Sequence, residues 1–138
     1  MSEATTPKSN LFIEIWNSFR ALPLWVQLWM VVILMPINFA SLFFLGEPQG
    51  GLIAFLAIFG MLPNMVIMIY DRGLSKLMAF PHLIPWTAIL ILVGFFHPDG
   101  SETYSLYLWA LAAINAISLS FDYPDAWKWL KGDRSIAK

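Results

Sequence analysis

Cysteine is absent from the chain, and charge is nearly absent from its apolar stretches. Without thiols there is no disulfide, no thiolate metal site and no chemistry built on a Cys pair. Charged residues make up 12% of the chain, against roughly 25% in soluble domains. Eight Lys and Arg against nine Asp and Glu leave a net charge of −1, so there is no basic field and nucleic acid is not an expected partner. No internal repeat is evident either, which argues against a solenoid or a duplicated transporter core.

What the chain has in quantity is apolar surface, 59% of its 138 residues. A water-soluble domain of this length could not bury so much, because small domains hide a smaller share of their surface. The apolar residues gather in four runs, about 24–45, 51–70, 77–96 and 101–121. At about 1.5 Å per residue, runs of roughly 20 residues cover the ~30 Å hydrocarbon layer of a bilayer. The expected fold class is therefore all-α: a polytopic membrane protein built as a four-transmembrane-helix bundle, with the lipid bilayer as its first partner.

The basic residues are distributed unevenly between the connections. Lys8 and Arg20 precede the first run, Arg72 and Lys76 lie between the second and third, and Lys128, Lys131, Arg134 and Lys138 follow the fourth. The other two connections carry only acids: Glu47 in one, Asp99 and Glu102 in the other. Short loops rich in Lys and Arg stay cytoplasmic, so both termini are expected on the cytoplasmic side. Short loops and a sharp charge asymmetry point to a bacterial inner membrane. The run from Leu22 exceeds the ~7–15 residues of a signal-peptide core and is expected to be a retained anchor.

Residues 1–9 are polar and expected to form a disordered cytoplasmic tail. Over 10–22, Leu11, Phe12, Ile15, Trp16, Phe19 and Leu22 recur at helical spacing opposite Glu14, Asn17, Ser18 and Arg20, the pattern of an interfacial amphipathic helix. Pro23 marks its turn into the first span. Residues 122–138 are expected to hold a short interfacial segment, Ala126 to Leu130, and a cytoplasmic tail. Trp16, Trp25, Trp127, Trp129, Tyr70 and Tyr123 fall near the inner boundary and Tyr104 and Tyr107 near the outer one, as an aromatic belt requires. In the third run Pro81 and Pro85 interrupt the first half. A helix starting cleanly at Pro85 would cover only ~18 Å, so a kinked or broken start over Leu77 to Leu83 is expected within the membrane.

The spans lack an embedded Asp, Glu, Lys or Arg, Glu102 standing at the outer mouth of the fourth. Proton-coupled pumps generally need such a group at membrane depth. Tiny four-span drug exporters are similar in size, but they depend on an embedded glutamate in the first helix, where this chain has Gln27 and Asn38. The polar groups available near the inner boundary are Gln27, Asn64, His82 and Asn115, with Asn38 alone in the outer half. The preferred reading is that they bond one another and the proline-freed backbone, at about 0.6 kcal/mol each or somewhat more. The alternative is an inner-leaflet polar layer that binds a small ligand or lipid headgroup, with His82 able to change charge near neutrality. His97, Asp99 and Glu102 lie close together in sequence, but a metal needs three or four ligands in fixed geometry and Pro-Asp-Gly is an ordinary turn. No metal, cofactor or catalytic residue is expected.

Small residues recur along two spans: Ala112, Ala116 and Ser120 every fourth position, and Gly51, Ala54, Ala57 and Gly60 every third. Such faces let helices approach closely in lipid, within the bundle by preference, or against a second copy or another membrane protein. Three functions follow. The first is a non-enzymatic accessory, assembly or scaffolding component, which asks least of the residues and is preferred. The second is a small oligomeric channel or ligand binder using the polar layer. The third is a lipid-modifying enzyme with His82 near the headgroups.

Overall fold

The computed structural model describes residues 10–138, and the tail expected over 1–9, with Lys8, lies outside the described residues. Among the described residues every extended element is helical. Helix α1 is Leu11–Ala21, begun by Asn10, whose Oδ1 accepts from the Phe12 N–H at 2.8 Å. That bond satisfies one of the orphan donors at a helix start. Four longer helices follow: α2 Leu24–Phe44, α3 Gly50–Asp71, α4 Lys76–Phe95 and α5 Glu102–Leu130. All four are long and apolar enough to span a membrane, and they suggest a multi-pass membrane protein.

Proline shapes three of them, because it donates no N–H to the carbonyl four residues earlier. In α2, Trp29–Leu34 widens to a π-helix ahead of Pro36, and the Met35 N–H reaches back to the Met30 carbonyl. In α3, the turn at Gly60–Leu62 separates Gly50–Phe59 from Pro63–Asp71. In α4, a 3₁₀ turn at Lys76–Ala79 leads into Phe80–Phe95, with Pro81 in its first turn and Pro85 inside it. Pro81 sits where a missing donor costs little.

The carboxyl-terminal helix departs from the sequence reading. The fourth span was expected to end near residue 121, ahead of a separate segment at Ala126 to Leu130, yet α5 runs unbroken through Pro124 to Leu130. Only the Ser120 carbonyl loses its helical donor at this proline, too small a loss to end a 29-residue helix. The separate segment Ala126 to Leu130 is thus the last turns of α5. This continuation carries Asp122 and Ala126 along the face already formed by Tyr104, Leu108, Leu111, Asn115, Ser118 and Leu119, all of them buried.

Helix α4 packs chiefly on α5 and then on α3, while α2 lies against α3 and touches α5. The core they share holds Leu34, Ile53, Ala57, Trp86, Ile89, Val93, Tyr104, Leu108 and Leu111. Outside it the bundle presents large apolar side chains on every helix, including Phe43 at 87% exposure, Ile84 at 81% and Phe95 at 81%. Water-soluble monomers do not carry apolar surface of that extent, which fits the multi-pass reading.

At the end of the bundle where Arg72 and Lys76 lie, the terminal segments are tied to the α3–α4 turn. Ser18 of α1 accepts the Leu74 N–H at 2.8 Å, Ser75 and Ile136 form an antiparallel bridge, and the Ala137 N–H donates to the Leu74 carbonyl. Gly73 sits where these segments converge: a Cβ there would lie 2.6 Å from the Ile136 Cγ2 and 2.8 Å from the Ser18 Oγ.

Candidate functional site

The polar residues singled out from sequence separate into three groups. Gln27 belongs to the α1–α2 corner: its Nε2 donates to the Leu22 carbonyl at 2.7 Å and the Arg20 carbonyl at 3.2 Å, and its Oε1 accepts from Arg20 at 2.7 Å. It thereby serves the orphan carbonyls that end α1 ahead of Pro23. Asn115 pairs with Asn38 across α2 and α5, each amide donating to the other's oxygen at 2.9 and 3.0 Å, with both side chains fully buried. This reciprocal pair leaves little for a ligand. Of the four groups expected in the inner layer, only Asn64 and His82 meet each other, at 3.0 Å between Nδ2 and Nε2.

To these two the fold adds Asp122 and Ser118. His82 Nδ1 lies 2.9 Å from the Asp122 Oδ2, which also accepts from the Ser118 Oγ at 3.2 Å. Both partners of the His82–Asp122 pair are about 12% exposed at the side chain. Since Nε2 accepts from the Asn64 amide, the proton of a neutral ring sits on Nδ1 and donates to the carboxylate. The ring is fixed on its face as well, stacked on Trp86 with centroids 4.0 Å apart and planes 7° from parallel. Trp86 is itself fully buried and donates its indole N–H to the Ala57 carbonyl at 3.1 Å.

That contact accounts for part of the small-residue pattern. Ala54, Ala57 and Gly60 are buried, and a Cβ on Gly60 would lie 2.4 Å from the Trp86 Nε1. The inner stripe of α3 is small because an indole lies across it. Gly51, at the other end of the stripe, is exposed with open space around it. On α5 Ala112 is buried, whereas Ala116 and Ser120 face outward and the Ser120 hydroxyl bonds the Ile117 carbonyl.

One atom of the polar cluster is unsatisfied. The Asn64 Oδ1 is buried and has no hydrogen-bond partner, whereas buried polar atoms in native proteins are nearly always paired. Asn64, His82, Trp86, Ser118 and Asp122 all line a cavity of about 880 Å³, within the ~300–1,000 Å³ of small-molecule sites. Its walls are otherwise apolar and soft: Trp25, Trp29, Met30, Leu34, Met61, Met65 and Met68 from α2 and α3, with Phe12, Ile15, Trp16 and Phe19 of α1 across the opening. Unbranched methionines let such a wall adapt to its contents. Lys76, Asp125, Ser135, Ile136 and Ala137 complete the rim.

Ion pairs tie the neighbouring segments together. Arg72 pairs with Glu14 of α1, its Nε donating at 2.7 Å. Arg72 holds the Glu14 carboxyl below its ordinary range, and Glu14 raises the guanidinium in turn. Lys76 lies 3.2 Å from Asp133, whose carboxyl is held low first by the Ser135 hydroxyl and then by Lys76.

At the opposite end, His97 is occupied by structure. Its Nδ1 donates to the Val93 carbonyl at 3.0 Å, its Nε2 accepts from Ser105 at 2.8 Å, and the ring stacks on Trp109. No group of three metal-ligating side chains assembles among the described residues. Glu47 instead accepts from the Ser101 hydroxyl and backbone N–H, joining the two acidic turns.

Sequence reasoning missed Asp122, the charged member of the cluster, because the fourth span was expected to end at residue 121. The signal was nonetheless present: Asn115, Ser118 and Asp122 follow one another at helical spacings of three and four, continuing the Leu108–Leu111 face. No family model, curated protein or solved structure matches this chain.

Proposed function

We propose that this chain is a multi-pass protein of a bacterial inner membrane, with both termini cytoplasmic, that binds an amphipathic molecule without transforming it. The apolar part of the ligand would occupy the cavity between α1, α2 and α3, and its polar head would lie toward Asp122 and Asp125. The observation that carries this reading is the cavity of about 880 Å³ whose apolar walls converge on a buried polar cluster with one unpartnered acceptor. A structural role alone would leave the cluster complete, since buried polar atoms are nearly always paired. The Lys and Arg distribution supports the orientation, which puts the cavity in the inner leaflet.

The polar cluster resembles a His–acid pair, but a hydrolytic role lacks a nucleophile. The Ser118 hydroxyl donates to Asp122 and makes no contact with His82, whereas an activated serine must give its proton to the imidazole. An accessory role, preferred from sequence alone, keeps support from the outward Ala116 and Ser120 on α5, a small face on which another transmembrane helix could pack. The two readings are compatible if the bound amphiphile controls the partner.

The test is equilibrium binding of single-chain amphiphiles to the purified full-length protein in a neutral detergent, read as a rise in unfolding temperature. At a ligand concentration of about 100 times Kd, one site stabilises the fold by about 2.7 kcal/mol. Met30→Trp, which fills the void from its wall, should abolish the rise while leaving the unliganded protein folded. Stabilisation by no amphiphile, or equal stabilisation of Met30→Trp, overturns the proposal.

A further inference from the structure

The surroundings of His82 favour a positive ring on three sides. On the first, Asp122 presents a carboxylate that is about 12% exposed and has His82 as its ion-pair partner at 2.9 Å. Lys76, the one Lys or Arg among the described lining residues of the cavity, is held by Asp133. Asp125 adds a second acid to that lining, and the described lining residues of α1, α2 and α3 include no titratable side chain. A neutral ring would therefore leave the Asp122 charge uncompensated where burial makes this costly. On the second side, Trp86 lies parallel to the ring with centroids 4.0 Å apart, and the face of an indole attracts a cation.

The third side is Asn64. Its Nδ2 lies 3.0 Å from the His82 Nε2, while its buried Oδ1 has no partner. The two ends of an amide have nearly the same shape, so the hydrogen bond to be made decides which end faces a neighbour. Turned half around, Asn64 keeps the contact and offers its oxygen, which calls for a proton on Nε2. With the Nδ1–H already directed at Asp122, the ring then carries two protons.

We infer that this cluster is a proton-binding site. His82 is an imidazolium that donates from Nδ1 to Asp122 and from Nε2 to the Asn64 oxygen, with Trp86 against its face. Both hydrogen bonds are charge-assisted, and such bonds are about twice as strong as neutral ones. The Ser118 hydroxyl donates to the same carboxylate oxygen, which favours the negative charge on Asp122 and keeps the proton on the ring. One bound proton thus joins α3 through Asn64, α4 through His82 and α5 through Asp122. Its release turns the Asn64 amide, so proton occupancy decides which atom α3 offers to α4. The proton answers the Asn64 oxygen and leaves the cavity to the amphiphile, so the two readings stand or fall separately.

Nuclear magnetic resonance of the full-length protein with nitrogen-15 in its histidine rings, in a neutral detergent at pH 7.5, tests the assignment. An imidazolium has a proton on both ring nitrogens, and a neutral ring leaves one bare. The chain has two histidines, and His97→Gln identifies the His82 signals. A free ring is about one-tenth charged at this pH, whereas most His82 rings should be charged. Asp122→Asn should cut the charged fraction at least about fivefold, toward that of a free ring. Asn64→Leu should cut it at least about twofold, because the accepting oxygen is lost. If the amide instead donates to a bare Nε2, the same substitution raises the charged fraction. A bare nitrogen on most wild-type rings overturns the inference, as does a charged fraction unmoved by Asp122→Asn or not lowered by Asn64→Leu. The wild-type spectrum decides by itself if Asp122→Asn fails to fold.

Discussion

Replacing Gly60 by alanine tests how α3, α4 and the candidate site are joined. The added methyl would lie 2.4 Å from the Trp86 Nε1 and 2.8 Å from its Cδ1, so about 1 Å of movement is needed to restore van der Waals contact. Moving the indole would disturb its other contacts. It is fully buried, stacked at 4.0 Å on His82 and hydrogen-bonded to Ala57. Overpacking of this kind costs about 1–3 kcal/mol, and a buried N–H left without its acceptor about 1–3 kcal/mol. Alanine returns about 1 kcal/mol through helix propensity. The expected net loss is roughly 3 kcal/mol, about two orders of magnitude in the folding equilibrium. Gly94 is the control: a Cβ there meets nothing within 4 Å, so Gly94→Ala should be neutral or stabilising by up to about 1 kcal/mol. Unfolding of the purified protein in mixed micelles with increasing denaturing detergent measures both. Near-ultraviolet circular dichroism reports whether the Trp86 environment has changed. Equal stability of the two variants would refute the close helix approach, and with it the account of why α3 carries small residues.

Two further expectations concern the polar contacts. The Asn38–Asn115 pair should show strong non-additivity: either single leucine substitution strands a buried amide at about 1–3 kcal/mol, and the double variant should cost less than the sum, a coupling of up to about 1.7 kcal/mol. Additive losses in the double-mutant cycle would mean that the two amides do not depend on each other. The docking of α1 should weaken in acid. Arg72 depresses the Glu14 carboxyl, so this contribution is complete above the ordinary value of about 4.5 and is lost as pH falls through the lower folded value. Hydrogen-exchange protection across Leu11–Ala21 should fall over that acidic interval and also with added salt. Protection in Glu14→Gln should start lower and stay flat; an unchanged acid response in that variant would assign the effect to another group.

Much of the architecture is legible in the residues because a bilayer imposes a length and a polarity that short-range patterns can meet. Leu24–Phe44 and Gly50–Asp71 emerge close to the apolar runs, and the Asn10-capped α1 follows the Leu11-Ile15-Phe19 periodicity. Depth along a helix was also readable, and it brought Asn64 and His82 to a common level. For Asn115 depth failed: it was expected near the inner boundary, yet it pairs with Asn38, expected alone in the outer half, because α5 runs past the expected end of its span. Azimuth was not legible either: Gln27 turns to the α1 corner, because which faces meet depends on how four helices rotate against one another.

The limits of reading a chain residue by residue are clearest at Pro124 and Gly60. Whether a proline ends a helix depends on what the neighbouring helices offer beyond it, and here α5 continues far enough for Asp122 to reach His82. Whether a small residue packs or idles depends on the partner, and Gly60 faces an indole while Gly51 faces open space. Composition and periodicity are properties of one segment, so the sequence alone determined four long apolar helices and an amphipathic first one. The cavity, its unpaired Asn64 oxygen and the Asn64–His82–Asp122 chain arise between segments 18 and 40 residues apart, and only their packing decided them.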